Sequence, residues 1–349
     1  VSNYPLSYKL SWLPRFLKPS LDGSGRDFAP PSAQLMSPMP ARTIRLAFIG
    51  DISAVASRQA PACDPTLKAL LGSADLVIGN CESPVVGRVR ARFGTWVGTH
   101  HAMEEAFLAD AMAAVGIRHE RSVLSVANNH MLDQGVEGFA ETIDALRHLG
   151  VQIIGAADRG PVQRVDAGGL TIGFAAFTVW RNASEALFSG RVSAETDPKL
   201  WPAGSLEGAD LLCAVPHWGW EFRHFPQRET MVLARRLVEH GFGLIAGHHA
   251  HVLQPVGLIG QVPVAYGLGD FLGTALARQP WPGRIGAILT VDVSAEPESL
   301  GKVAAYKMHP FMRLRDGRRE RLMPVTNLSG ALRARVEERL ARVLGTAQP

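Results

Sequence analysis

Between Thr43 and Val293, short β-branched and apolar runs recur, separated by stretches in which apolar residues return every three or four positions. The runs cover residues 44–49 (IRLAFI), 76–78, 123–126, 151–154, 171–177, 211–215, 244–246, 262–266 and 287–293. Runs of that length suit strands, and the periodic stretches between them suit helices. Their alternation predicts a layered α/β fold. Residues 138–149 place Phe139, Ile143 and Leu146 on one helical face, with Gly150 where a C-cap belongs. Residues 227–240 do the same with Met231, Ala234, Leu237 and Val238, ahead of Gly241. A third helix, 330–344, carries Leu332, Val336, Leu340 and Val343 and is expected to pack back on the domain. Residues 1–42 hold seven of the 23 prolines and show no sustained period, which predicts an irregular arm. The organisation expected is an arm (1–42), one domain (43–327) and a C-terminal helix (328–349).

Composition narrows this picture. With 46% hydrophobic and 19% charged residues the chain can build a sizeable core and is not a disordered segment. No apolar run approaches the ~18 residues a membrane helix needs, so no transmembrane segment is expected. The chain does not open with a secretory layout. The cytoplasm is therefore favoured, with an envelope association expected only if an anchor is missing from the given residues. A net charge of +4 is too small to point to nucleic acid. The basic run Arg313–Arg321 (RLRDGRRER) reads as solvated surface. The three cysteines, Cys63, Cys81 and Cys213, form no pairing motif and fit a reducing compartment. Cys81 and Cys213 lie within or beside strand runs and read as small buried hydrophobes.

The chemistry gathers where strands stop. IRLAFI runs into Gly50-Asp51; the 76–78 run into Gly79-Asn80-Cys81-Glu82; the 123–126 run into Asn128-Asn129-His130 and Asp133. The 211–215 run is followed by His217 and Glu221, and 244–246 by Gly247-His248-His249-Ala250-His251. Ligand sites of open α/β sheets form at the carboxyl ends of strands. Glycine before Asp51, Asn80 and His248 fits a sharp exit and close backbone approach. Six of the 12 histidines fall between His217 and His251. Carboxylate, amide and imidazole donors without thiolates suit Zn, Mn or Fe. His249 and His251 could share one face of a strand, or be brought to adjacent metal positions by a turn.

Asn80-x-Glu82, ANNHMLDQGVEGFAETIDALRHLGV, HWGWE, GHHAHVLQPV and VAYGLGDF together resemble the CapA (PGA_cap) family of bacterial capsule and poly-γ-glutamate biosynthesis proteins, over about Ile44–Phe271. That family is similar to the calcineurin-like metallophosphoesterases. The resemblance implies mixed β-sheets flanked by helices and a pair of divalent cations, with a single cation as the alternative. It implies metal ligation by Asp51, Glu82, Asn129, His217, His249 and His251. Asn80, Asn128, His248 and Asp270 would support them, and His130 would protonate the leaving group. Asp133 or Glu221 could orient an imidazole. The chain departs from the pattern at Ser53 (usually histidine), Asn80 (usually aspartate), Asp133 (an acid commonly follows the histidine directly) and Asp270 (more often asparagine).

The function expected is a metal-dependent hydrolase, foremost a phosphoesterase acting on a small phosphoester. One alternative is cleavage or transfer of a γ-glutamyl amide. The other is a non-catalytic module for an anionic polymer, its groove lined by Trp218, Trp220, Phe222, Arg223 and His224.

Overall fold

The computed structural model describes residues 2–53, 59–88, 100–273, 279–317 and 319–345. Each expected run is a strand, and the strands form two mixed sheets. The larger sheet runs, in spatial order, β3 (Ala62–Cys63), β16 (Arg319–Pro324), β15 (Val303–Asp316), β14 (Ile285–Ser294), β2 (Thr43–Ile52), β4 (Leu76–Cys81), β5 (Ser122–Ser125) and β6 (Gln152–Ile154). Off this path, β1 (Ser32–Gln34) pairs with β15, and β13 (Asp270–Leu272) with β2. The smaller sheet is β11 (Val256–Ile259), β12 (Val262–Ala265), β10 (Leu244–Ala246), β9 (Leu211–His217), β8 (Leu170–Thr178) and β7 (Gln163–Ala167).

Strand period two explains the layering. On β8 and β9, Ile172, Phe174, Ala176, Cys213 and Val215 join the main core, which also holds Leu46, Phe48 and Ile78 of the larger sheet. Their alternating neighbours Ala175, Phe177, Leu212 and Ala214 face a second cluster. Both faces of these strands are buried, which is why their sequences are continuous apolar runs. Helices α2 (Pro65–Gly72), α3 (Glu105–Val115), α4 (Gly135–His148) and α7 (Gly330–Leu344) feed the main core through Leu71, Leu108, Leu146 and Val336. Helix α6 (Arg228–Glu239) covers the second cluster with Ala234 and Leu237. A single turn, α5 (Glu185–Phe188), follows β8. The residues after 345 at the end of the C-terminal segment lie outside the described residues.

Strands β2, β4, β5 and β6 are parallel, as are β8, β9, β10 and β12. Their carboxyl ends therefore emerge together within each sheet. Close packing, rather than a left-handed turn, accounts for two of the exit glycines. A Cβ on Gly50 would sit 1.7 Å from the Gly269 carbonyl oxygen, and one on Gly247 2.3 Å from that of Tyr266.

Two expectations need correction. The arm is not irregular throughout: Leu6–Leu17 forms helix α1, with Pro14 inside it. Its inner face carries Tyr8 and Trp12, while Leu6, Leu10, Leu13 and Leu17 point to solvent. A helix apolar on both sides lacks the contrast that reveals a period. The basic run is also not all surface. Arg315, Arg319 and Arg321 are exposed on the β15–β16 hairpin, but Arg313 is fully buried. Arg318 lies outside the described residues.

Candidate metal centre

Asp51 is the penultimate residue of β2, Asn80 lies in β4 with Glu82 just past its end, and His217 closes β9. The three histidines follow β10, and Asp270 opens β13, in parallel register with Asp51. The chain after β10 turns rather than continuing as a strand. His249 and His251 adopt φ of 88° and 52°, and Phe222 beside them 60°. These are the three non-glycine residues with positive φ among the described residues, and all sit at this site.

The turn brings His249 and His251 around Glu82, with ligating atoms mutually within 4.8 Å. Asp51, Glu82, His251 and Asp270 form an overlapping set on the same criterion. His251 Nε2 is 3.4 Å from Glu82 Oε1, and its Nδ1 is 2.6 Å from Asp270 Oδ1. Asp270 thus belongs to the donor cluster rather than beside it, and Arg313 holds its other oxygen at 2.8 Å. On the far side of Glu82, His217 Nε2 lies 3.8 Å from Oε1 and 2.7 Å from Asn129 Oδ1. Asn80 and Asn128 frame the group. Asn80 Nδ2 donates to Asp51 Oδ1 (2.7 Å), and Asn128 Nδ2 to Asn80 Oδ1 (3.1 Å). Asn128 Oδ1 accepts from the His130 amide at 3.1 Å. His248 turns away, with Nε2 3.0 Å from the Ile49 carbonyl oxygen.

Beside this cluster, His130 Nδ1 meets Asp133 Oδ2 at 2.6 Å. Asp133, not Glu221, is therefore the carboxylate that orients an imidazole; the Glu221 carboxylate accepts from the Trp12 indole of α1. Sequence reasoning missed two neighbours. His101 stacks on His130 at 3.5 Å and hydrogen-bonds Ser53, the residue standing where a histidine was expected. Asn182 links Asn129 to His130. His101 follows no strand run, and Asn182, four residues past the end of β8, was passed over because the polar residues after that run were not read as part of the cluster. A cavity of about 450 Å³ is lined by Asn129, His130, His251, Asp270, Glu221, Tyr4, Tyr8 and Trp12. Of the aromatic groove residues, Trp218 and His224 are buried and do not line the cavity; Trp218 packs in the second cluster. Phe222 does line it.

Electrostatics sharpen the reading. Burial pushes Glu82 and Asp51 above the usual carboxylate range. Burial also pushes His217, His249 and His130 below the usual imidazole range, so they stay neutral and can donate lone pairs. Burial opposes charge on His251 too, but Glu82 and Asp270 outweigh it and raise its pKa. Burial likewise works against the Asp270 carboxylate, yet His251 and Arg313 hold it below its ordinary value. Both Glu82 oxygens and His249 Nδ1 are buried without a hydrogen-bond partner. Orphaned buried acceptors are costly, by ~1–3 kcal/mol each and more when charged. A divalent cation is the partner that this donor set fits.

A layered α/β scaffold with a buried carboxylate–imidazole cluster at its strand ends carries a candidate metal site. Residues 45–275 match the family described as "Bacterial capsule synthesis protein PGA_cap", and the chain belongs to that family. It is 27% identical over 220 residues to the capsule biosynthesis protein CapA of Bacillus anthracis, covering 58% of this chain and 51% of that protein. It is 26% identical over 217 residues to the PGA biosynthesis protein CapA of Bacillus subtilis (strain 168), covering 57% and 53%. The chain thus spans about half the length of the curated relatives it matches. Among solved structures, a 5'-nucleotidase precursor from Thermus thermophilus aligns with a TM-score of 0.46 and 16% identity, over 86% of this chain and 58% of that one. No helix among the described residues is long and apolar enough to cross a membrane.

Proposed function

We propose that this chain is a divalent-metal-dependent hydrolase, and that its substrate is a phosphoester. The observation that carries this reading is Glu82: a buried carboxylate with neither oxygen hydrogen-bonded, clustered with Asp51, His249 and His251, the last of which lines the cavity together with His130. Asp51, Glu82, His249, His251 and Asp270 would hold the metal, with His217 and Asn129 completing the far side. Divalent cations held there would act as Lewis acids and supply a nucleophilic water at neutral pH.

The protein's own groups do the rest. Asp133 accepts from His130 Nδ1, which leaves Nε2 with its lone pair; Nε2 would take a proton released by the nucleophilic water and pass it to the leaving oxygen. Stacking on His101 holds that ring in plane. Asn80 and Asn128 fix the carboxylate of Asp51 relative to His130 through one chain of hydrogen bonds. The test is turnover of bis-p-nitrophenyl phosphate by purified protein with Mn or Zn. His130→Ala is expected to lower kcat by ~10²–10⁴ with metal content retained. Wild type without turnover, or His130→Ala equal to it across phosphoesters, overturns the reading. A second reading is favoured by the names of the relatives: cleavage or transfer of a γ-glutamyl amide by the same groups. Turnover of γ-glutamyl oligomers in place of phosphoesters selects it.

A further inference from the structure

The N-terminal arm lies outside residues 45–275, yet it reaches the donor cluster. The Tyr8 hydroxyl is 3.3 Å from His249 Nε2, and both side chains are buried. His249 Nδ1 is the other ring nitrogen, buried and unpartnered, on an imidazole that shares a 4.8 Å cluster with Glu82 and His251. The two nitrogens are thus divided: Nε2 is engaged by the arm, and Nδ1 is left without a hydrogen-bond partner. A ring at φ 88° on a loop, with no strand pairing of its own, needs such a fixed contact to hold one orientation.

Helix α1 is itself pinned. Trp12 donates to the Glu221 carboxylate, and Arg15 donates to the Glu221 carbonyl oxygen at 2.5 Å. The Arg15 guanidinium lies over the rings of Tyr8 (4.7 Å) and Trp220 (4.9 Å). Tyr4, just before the helix, stacks on Trp180 at 4.8 Å. Burial keeps the Tyr8 phenol protonated well beyond its ordinary range.

We propose that helix α1 completes the metal centre, with Tyr8 as the positioning residue that fixes the ring of His249 for metal binding through Nδ1. This rests on the metal-dependent reading of the site. With the cation on Nδ1, the neutral ring carries its proton on Nε2 and donates it to the Tyr8 oxygen. Partners of this kind orient metal-binding imidazoles, and their removal typically costs ~10–100-fold in metal affinity. Because binding is reciprocal, the metal must in turn tighten the docking of α1.

The test uses the full chain. Mn²⁺ and Zn²⁺ affinities are measured by calorimetry for wild type, Tyr8→Phe and Leu10→Ala, the last altering only the solvent face of α1. Tyr8→Phe is expected to bind ~10–100-fold more weakly and to change the visible bands of the Co²⁺-loaded protein. Leu10→Ala is expected to match wild type in both. Tyr8→Phe with wild-type affinity and wild-type bands overturns the inference. Should Tyr8→Phe fail to fold, wild type alone decides. Tryptic cleavage at Lys9 and Arg15 is expected to slow several-fold on metal loading, and equal rates in Zn²⁺ and in chelator overturn it. Wild type that takes up no divalent cation overturns the proposed function itself, a separate outcome from wild type and Tyr8→Phe binding alike.

Discussion

Arg313 is the residue whose setting departs most from its sequence context. It sits in a basic run, yet its guanidinium is buried and meets Asp270, Gln279, Glu320 and the Gly283 carbonyl oxygen. It neutralises the carboxylate that grips His251. Arg313→Met leaves buried Asp270 with His251 as its remaining charged partner and Glu320 without its arginine, and we expect a loss of about 3–5 kcal/mol in stability, read by denaturant unfolding. Unchanged stability would mean that the pair contributes nothing. At the donor cluster, Asp51→Ala and His249→Ala are expected to lower metal content measured by elemental analysis, whereas His130→Ala keeps it. The ligand-type residues were legible because each follows a strand run. Arg313 was not, because nothing in RLRDGRRER says which member of a hairpin strand turns inward. Cys81 and Cys213 are buried free thiols, as their apolar setting implied.

At the scale of elements, legibility followed contrast. Helices α4, α6 and α7 alternate a buried face with a polar one, and their sequence boundaries fall within three residues of the observed ends. Helix α1 has exposed leucines opposite its buried aromatics, so its pattern gives no single face. Strands β15 and β16 mix charge with apolar residues because only part of the hairpin meets the core. The contact between β2 and β13 admits a sharper prediction. At Gly50 a methyl group would meet backbone at 1.7 Å, which no side-chain rotation relieves. Gly50→Ala must part the two strands that carry Asp51 and Asp270. We expect a drop of at least ~2 kcal/mol in unfolding free energy, together with loss of metal binding. A variant as stable as wild type would show that the strands separate freely.

For the molecule as a whole, the proposed metal site makes stability depend on cations, and buried histidines make it depend on pH. A cation that binds only the folded state stabilises it by about 2.7 kcal/mol at 100 times its Kd. Chelation is therefore expected to lower Tm in calorimetry, and an unchanged Tm would count against a resident metal. Acid adds a second dependence. Burial depresses His224 to about 4, while the unfolded residue titrates near ~6.5. The folded state thus binds fewer protons between these values. The stabilising neutral form is fully present above pH ~6.5 and its contribution is lost as pH falls toward 4, up to about 3 kcal/mol. His224→Asn should flatten that part of the stability profile; an identical profile would remove His224 as its source. The chain by itself determined the strands, most of the layering and the residues able to ligate a metal, because burial on both faces and abrupt polar strand ends are local patterns. Only the tertiary structure decided that Asp270 lies against Asp51, that Arg313 balances it and that Tyr8 reaches His249. Those contacts join residues far apart in sequence, and their free energy exists only once two sheets and a terminal helix have closed on one another.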